Sequence, residues 1–539
     1  MTLPRTVADV LSDHVTFEVE CIDRMYLNVW VPRLAYGGGV VGFFVGHRGN
    51  RYASTALMDP MSKAFVADIH DFVATRGLEL VGFAKGQRKD ELTQQFLAGF
   101  PAAEGVLYVG RAQEKSGVWR TQRRHNPATG GSYAWLVRAT AFINFFYFYC
   151  VDADFGPFFI KFSTYFPFTA KICINGNEWA KRQAAKAGIG FEALDNGFAA
   201  VDDVDRLQAI CDSLGPGHIE ALLRKWLKIL PNPFTAADEA AGYQYELSVL
   251  QAEFSLTQML DRPVSGRIFF EQVLHENLDI GRPDQIGLVF DRRIIRKGHH
   301  PTPGRFRTRV ITDGVVPSLH IDYKNSKIKQ YHKEGRALRT ETTINDTRDF
   351  GIGKRLLNLP ALRRIGFDAN RRLLDVQRIS QDCAIGEDAF RGVNEPVEVN
   401  GQRASGLRFA DVAVQALFSA LLVFRLLPRG FSNRDLRSYW APLLGKTPDA
   451  MTPGQMTYHL RRLRLHGLIE RIPGTHRYRV TRQGSRTILF CTRTYNRLLR
   501  PGLAQIVPEE ARDDSVLRRG FDAFDQVLGE WIEKRRVSA

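Results

Sequence analysis

The sequence predicts an α/β plus α+β protein: an N-terminal α/β domain, a central strand-rich domain and a small helical module near the C-terminus. Three observations carry this. Strands alternate with helices over the first two hundred residues, several strands follow the breaker Pro231-Asn232-Pro233, and three helices then precede two short strands. At 539 residues the chain is long enough for roughly three domains of about 150 residues each.

The N-terminal domain is expected over residues 1–203. Val15–Val31 alternates as a strand does, and Val40–Val45 is an apolar run expected as a buried strand. Ala64–Arg76 has helical spacing, Leu78–Phe83 returns to strand, and Lys89–Phe100 reads as a helix. Glu104–Gly110 is another strand, Leu136–Phe166 is long, aromatic and β-like, and Glu178–Ala187 is a helix. A helical spacer at 204–233 holds Val204–Leu230 and ends at the proline pair. The central domain, 234–385, reads as strand Tyr243–Thr257, helix Gly266–Leu278 and strand Gln285–Asp291. Strands Arg305–Ile311, Ser318–Lys324 and Lys327–Ile344 and helix Leu362–Ile379 follow. That β-α-β-β-β-α order predicts a split, ferredoxin-like sheet of the kind used by RNA-recognition modules and replication initiators. A linker is expected at 386–411, the helical module at 412–503 and a terminal helix at 504–539, whose apolar side could dock on the body or pair two chains as a homodimer.

Charge narrows the partner. The chain carries +16, and two segments hold more than all of it: Leu417–Arg500 has sixteen Lys/Arg against three Asp/Glu, and Asp291–Ser380 has twenty-one against nine. Concentrated positive charge suits a polyanion, because each phosphate contact releases counterions. No lysine-rich amphipathic helix flanks these segments, so nucleic acid is preferred to a membrane surface, with DNA favoured and RNA open. No stretch approaches the ~20 apolar residues of a bilayer span. The first residues lack the apolar core of a secretory signal, so a cytoplasmic protein is expected. The six cysteines include no C-x-x-C pair.

The module at 412–503 has the sharpest pattern. Ala416–Leu427 is an apolar helix, Ser432 or Asn433 can cap a helix over Asn433–Leu444, and Thr452 can cap a third with Pro453 in its first turn. The third helix carries Tyr458, His459, Arg461, Arg462 and Arg464 and ends at His466-Gly467. Strands Leu468–Ile472 and Arg477–Thr481 flank Pro473-Gly474-Thr475-His476. The run LRRLRLHGLIERIPGTHRYRVTRQG resembles the recognition helix and wing of bacterial winged-helix DNA-binding domains. That resemblance implies a winged helix-turn-helix in which Tyr458, His459, Arg461, Arg462 and Arg464, with His476, Arg477 and Arg479 of the wing, contact DNA.

The central segment SLHIDYKNSKIKQYHKEGRALRTETTINDTRDF holds a second constellation. Alternation puts His320, Asp322 and Lys324 on one face of a strand, Lys327, Lys329, Tyr331 and Lys333 on one face of the next, and Arg339, Glu341 and Thr343 together beyond the Glu334-Gly335 turn. Glu253 is expected in the same sheet. Carboxylates and a histidine among cations suit a divalent-metal phosphodiester site. Glu253, His320, Asp322 and Glu341 are candidate ligands for Mg2+ or Mn2+, and a tyrosine is a candidate nucleophile. Residues Tyr323…Ser326…Tyr331-x-Lys333…Leu338-Arg339-x-Glu341 resemble the Y…S…Y-x-K…LR-x-E block of rolling-circle replication initiators of phages and plasmids. The resemblance implies a catalytic set of Glu341, Lys333 and either Tyr331 or Tyr323, with Arg339 holding phosphate. The block departs from that pattern in carrying a single His-Ile-Asp rather than paired histidines. The whole chain also resembles an uncharacterised bacterial protein family that shares the NG-x-EW element (Asn175–Trp179) and the TTIND element (Thr342–Asp346).

Two readings follow. One is a Rep-like, metal-dependent DNA nicking or strand-transfer enzyme with a winged-helix DNA-recognition domain. The other is a non-catalytic DNA- or RNA-binding protein that regulates or assembles. In the first, Glu253, His320, Asp322 and Glu341 converge on one point; in the second, each pairs with its own Arg or Lys. A weaker third possibility places a metal at Asp152 and Asp154. The tyrosines and phenylalanines of 147–166 are expected mainly as core.

Overall fold

The structure, a computed structural model, describes residues 14–84, 87–262, 289, 290, 292, 301–313, 316–379, 387–424, 430–499, 523 and 527. The chain divides into two compact units. One comprises 13–271 and 303–371, the other 1–12, 272–302 and 372–539. The expected helix Gly266–Leu278 lies outside the described residues, as do the strand Gln285–Asp291 and the terminal helix 504–539 apart from a few isolated positions.

The first unit is built on one eleven-stranded sheet. In chain order its elements are β1 (Val15–Trp30), α1 (Thr55–Thr75), β2 (Leu80–Gly82), α2 (Lys89–Ala98), β3 (Gly105–His125), β4 (Ser132–Asp152), β5 (Gly156–Ser163) and β6 (Ala170–Asn175). Next come α3 (Gly176–Lys186), a separate hairpin of β7 (Phe191–Leu194) and β8 (Gly197–Val201), α4 (Val204–Ser213), α5 (Pro216–Ile229) and β9 (Glu246–Leu260). Strands β10 (Arg305–Asp313), β11 (Val316–Lys324), β12 (Ser326–Lys333) and β13 (Ala337–Ile344) precede α6 (Leu359–Ile379), which begins in this unit. The sheet order is β10-β11-β12-β13-β9-β1-β6-β5-β4-β3-β2. Among the described residues only the short β2–β3 pair is parallel.

The sequence separated an N-terminal from a central domain, but their strands share this sheet: β9 pairs with β13 on one side and with β1 on the other. The central strands form the antiparallel run β10 to β13 closing on β9, not the interleaved order of a ferredoxin-like sheet. Long β1 explains both differences. With each edge paired by backbone hydrogen bonds, it joins the two halves without leaving an exposed edge between them.

Directly paired residues lie on the same face. One face is apolar across the sheet, through Phe148–Ile160–Ile172–Leu27 and Ile22–Phe254–Thr342–Ile328–Ile321. Helices cover it. Phe65 and Phe72 of α1 meet Phe162 and Phe148, Trp226 of α5 meets Phe158, and Phe367 of α6 meets Phe254, with ring centroids 5.1–5.9 Å apart. Aromatic side chains such as these each bury a large apolar area.

Two expected elements change character. Val40–Val45 is helical, not a strand, split between Gly37–Val41 and a wider turn Gly42–His47; helical spacing buries Val40, Phe43 and Phe44 together. The strand expected to end at Gly110 runs on to His125, because β4 pairs with it residue by residue.

The second unit contains α7 (Glu387–Asn394), a hairpin of β14 (Val397–Val399) and β15 (Gln402–Ala404), α8 (Val412–Phe424), β16 (Phe431–Ser432), α9 (Asn433–Leu443), α10 (Pro453–Leu465), β17 (Ile469–Arg471), β18 (Arg477–Val480) and α11 (Arg482–Thr494). The segment expected as a linker is thus structured. Strands order as β16-β18-β17. Leu417, Phe418, Leu421, Leu436, Trp440, Met456, Leu460, Leu463, Ile469 and Ile488 make one core. Helix starts follow the sequence: Ser432 caps α9 by accepting from Asp435 N, and Thr452 caps α10 by accepting from Gln455 N. Gly467 (φ 69°) leaves α10 in the left-handed conformation expected of a C-cap.

Candidate nucleic-acid interface

The second face of the sheet is polar, and its register places most of the central site residues in rows. His320, Lys329, Glu341 and Ser255 form one row across β11, β12, β13 and β9. Asp322, Lys327, Thr343 and Glu253 form the next, and Ser318, Tyr331, Arg339 and Thr257 flank the first row on its other side. Strand β10 adds Arg309 beside His320 and Arg307 beside Asp322. The residues expected to share faces across these rows do so, and the two candidate tyrosines fall on opposite sides. Tyr323 lies on the opposite face, fully buried between Phe306 and Phe350, whereas Tyr331 is on the polar face.

A residue that sequence reasoning passed over organises this face. Register between β1 and β9 shifts between Ile22 and Met25, so Asp23 and Arg24 together oppose the single Glu253. Such a bulge turns an extra side chain onto one face. Asp23, 5% exposed, pairs with the fully buried Arg339 (Nη2 to Oδ2, 2.7 Å), and Arg339 Nε lies 2.8 Å from Glu341 Oε1. The Tyr331 hydroxyl donates to the same Glu341 oxygen at 2.8 Å. Asn177 Nδ2 donates to Asp23 Oδ1 at 3.2 Å, and Asn196 Nδ2 donates to that oxygen as well. Arg339 Nη1 donates to the Asn196 carbonyl.

Three sequence elements therefore meet at one buried carboxylate. In NG-x-EW, Asn175 caps α3 by accepting from the Asn177 and Glu178 amides and donates to Asn196 Oδ1 at 2.9 Å. Gly176 lets α3 approach β1, since a Cβ there would lie 2.1 Å from the Ile22 carbonyl oxygen. Trp179 is buried. The turn before Gly197 supplies Asn196, and β13 supplies Arg339 and Glu341. Thr342, Asn345 and Asp346 of TTIND are structural. Thr342 donates to Asn370 Oδ1 at 2.7 Å, Asn345 donates to the Asn325 carbonyl at 2.8 Å, and Asp346 caps a short 3-10 turn.

Electrostatics of the network follow from its dryness. Burial alone would raise the Asp23 carboxyl, but the Arg339 guanidinium and the donor from Asn196 hold it below its ordinary value. Burial is also the largest influence on Glu341 and pushes its carboxyl up; Arg339 opposes this, and the Asp23 charge adds to it. Burial and the Glu341 charge both push the Tyr331 phenol up. Burial opposes the charge on Arg339, yet the two carboxylates win and keep it protonated.

The four expected metal ligands are each occupied separately. Asp322 pairs with Arg307 at 2.6 Å and Arg309 at 3.3 Å. Glu341 sits against Arg339. Glu253 accepts from Gln251 at 2.7 Å, and burial, the largest influence, raises its carboxyl. His320 Nε2 is 2.9 Å from the Ser318 hydroxyl, its imidazole pushed down by burial and by Lys329 and Arg309. Among the described residues no three His, Cys, Asp or Glu side chains gather as a metal-holding group. Lys333 pairs with its neighbour Glu334 at 3.1 Å, Lys324 donates to the Asp349 carbonyl at 3.3 Å, Lys329 lies over the Tyr331 ring at 4.1 Å, and Lys327 is half-buried on the same face. Ser326 donates to Asp349. Asp152 is a structural acceptor, bonded by Trp226 Nε1 at 2.9 Å and Lys225 at 2.8 Å.

In the second unit the basic residues divide. Arg461 and Arg464 project from α10 into solvent, with Tyr458 about half exposed. Arg462 instead donates to the Ser405 and Gly406 carbonyls, which pins the β14–β15 hairpin segment to α10. His466 is within 2.8 Å of the Gly392 carbonyl and 3.0 Å of the Ser405 carbonyl. His459 packs edge-on against Trp440 at 4.6 Å, and burial depresses its imidazole. On the strand pair His476 is exposed, Arg477 donates to the Gly430 carbonyl at 2.7 Å, and Arg479 pairs with Glu470. Of the eight residues expected to contact DNA here, Tyr458, Arg461, Arg464 and His476 are exposed, Arg479 forms an exposed ion pair with Glu470, and Arg462, His459 and Arg477 hold the fold.

No helix among the described residues is long and apolar enough to cross a membrane. Compared with protein-family models, curated proteins and solved structures, the chain finds no match in any of the three.

Proposed function

We propose that the chain is a nucleic-acid-binding protein whose second unit is a winged helix-turn-helix, with α10 as recognition helix and β17–β18 as wing. The observation that carries this reading is the pairing of an exposed arginine stripe on α10, Arg461 and Arg464, with an adjacent strand pair whose tip bears exposed His476. A helix of this kind fits the major groove, where arginine reads guanine through two hydrogen bonds. The element order α8-β16-α9-α10-β17-β18 and the sheet order β16-β18-β17 support it. On the sheet, Glu253, His320, Asp322 and Glu341 each have a different partner, namely Gln251, Ser318, the Arg307–Arg309 pair and Arg339, which favours a binding role over metal-dependent chemistry at that face, and the ferredoxin-like expectation is not carried forward.

The test is binding of the full chain to labelled duplex DNA, duplex RNA and single strands at two salt concentrations. Double substitution Arg461→Ala with Arg464→Ala is expected to weaken DNA binding and lower the salt slope by roughly two. Unchanged binding in that variant would sink the assignment of α10.

One observation supports a second reading as a Rep-like nicking enzyme: Tyr331 already donates to Glu341, the arrangement of a nucleophile and its base, although Arg339, expected to hold phosphate, is fully buried between Asp23 and Glu341. Incubating supercoiled DNA with Mg2+, Mn2+ or EDTA tests it. Nicking abolished by both Tyr331→Phe and Glu341→Gln would establish it, and absence of nicking on single-stranded and supercoiled substrates would leave the binding reading alone.

A further inference from the structure

Strands β3 and β4 pair without a break from Val109–Phe148 to His125–Ser132. Their other neighbours stop early: β5 pairs with β4 only from Phe145 onward, and β2 pairs with β3 only over Val109–Arg111. From Ala112 to His125, and from Ser132 to Ile143, each strand has the other as its only sheet partner among the described residues. At ~3.3 Å per residue this two-stranded ribbon extends roughly 40 Å. Its base is braced: Trp119 is buried, Arg138 stacks on it at 4.1 Å and donates to the Ala35 carbonyl at 2.7 Å, and Thr121 accepts from the Thr55 amide. Beyond Thr121 the end is free. Gln122 to Trp135 is exposed at every position except Asn126, whose backbone closes the turn with Gly130 and Gly131.

The composition of that end is selective. No carboxylate occurs between Glu114 and Asp152, while Arg120, Arg123, Arg124 and His125 lie on one strand. Among the described residues neither Arg123 nor Arg124 has a carboxylate within ion-pair distance. Register sorts the side chains. Gln122 faces Trp135 and Arg124 faces Tyr133, so these four share a face, and Arg123 and His125 occupy the other. Arg124 lies over the Trp135 ring at 4.7 Å, and Tyr133 meets Trp135 edge-on. Both rings are 45% exposed. A bare ribbon edge with exposed aromatics invites aggregation unless something covers it. The unopposed arginines say that the cover is a polyanion.

We infer that the β3–β4 ribbon is a nucleic-acid-binding arm that enters the groove of a double helix. A two-stranded ribbon fits the ~12 Å major groove. Gln122 and Arg124 have the donor geometry to read base edges, the aromatic pair supplies flat apolar surface against sugars and bases, and Arg123 and His125 face the phosphates. The arm rests on the nucleic-acid reading above for its partner class, but it lies in the first unit and does not depend on α10.

The experiment uses the full chain, a labelled 30-base-pair duplex and anisotropy titrations across salt. Three variants are compared with the unaltered chain: Arg123→Ala with Arg124→Ala, Trp135→Ala, and Arg461→Ala with Arg464→Ala. Thermal unfolding of each confirms that the exposed substitutions leave the fold intact. The arm double variant is expected to lose roughly tenfold or more in affinity at moderate salt, with the slope falling by about two. Trp135→Ala is expected to lose affinity with the slope kept. If arm variants weaken binding and the α10 variant does not, the arm stands and the α10 assignment falls. If the α10 variant weakens binding and both arm variants bind as the unaltered chain does, the arm is overturned and the winged-helix reading survives. Binding to phosphatidylserine vesicles that the arm variants abolish, with no arm effect on the duplex, would also overturn it, making the ribbon a membrane contact.

Discussion

The central segment Asp291–Ser380 and the segment Leu417–Arg500 carry almost the same net positive charge in sequence, yet the polar sheet face of the one and α10 of the other use their arginines differently. On the sheet Arg339 is fully buried between Asp23 and Glu341, and Arg307 and Arg309 converge on Asp322. On α10 Arg461 and Arg464 reach solvent, and among the described residues no carboxylate lies within ion-pair distance of either. Net charge per segment therefore measures available cations poorly. A paired arginine stabilises or specifies the fold; an unpaired one is left for a polyanion.

The largest effect expected from this contrast is on stability. Arg339→Met leaves Asp23 and Glu341 close together and uncompensated in a dry site, so the first unit should lose about 3–5 kcal/mol in urea unfolding. A loss below about 1 kcal/mol would mean that the network is hydrated and contributes little. On the other side of the comparison, Arg461→Ala with Arg464→Ala should leave unfolding within about 0.5 kcal/mol of the unaltered chain while DNA affinity falls. Destabilisation of that variant would show that these arginines, too, hold structure.

A smaller effect tests the helix start of the second unit: Thr452→Ala removes the acceptor for Gln455 N and should cost about 1 kcal/mol. Thr452→Ser should restore most of it. The last prediction concerns pH. The Glu341 carboxyl is raised in the folded state, chiefly by burial, so its contribution to stability is present below the ordinary glutamate range and is lost as pH rises through the raised value. Stability of the unaltered chain relative to Glu341→Gln should therefore fall between acid and neutral pH. A relative stability that grows with pH would show that Arg339 dominates and keeps Glu341 ionised.

Much of the local structure was legible. Alternation over Ser318–Ile344 placed His320, Asp322, Lys327, Lys329, Tyr331, Arg339 and Glu341 on shared faces, because side chains in a strand project with period two. Thr452-Pro453 and His466-Gly467 marked the ends of α10 through capping chemistry that acts within one turn. The buried network was not legible in the same way. Asp23 reads as one more residue of an alternating strand; the signal that marks it is a two-against-one mismatch with Glu253, visible only once β1 is aligned with β9. The NG-x-EW and TTIND elements were noticed as motifs, but Gly176 needed the approach of Ile22 to be explained.

Sequence by itself determined the periodicities, the caps and the basic segments, since each depends on residues within a few turns of one another. Tertiary structure alone decided that the N-terminal and central strands would form one sheet, that β3 would continue past Gly110 into an arm, and which arginines would be free. Those outcomes depend on backbone pairing and ion pairing between residues beyond one turn of each other, from neighbours across the β3–β4 hairpin to pairs as distant as Asp23 and Arg339. Nothing within either segment encodes its partner's distance.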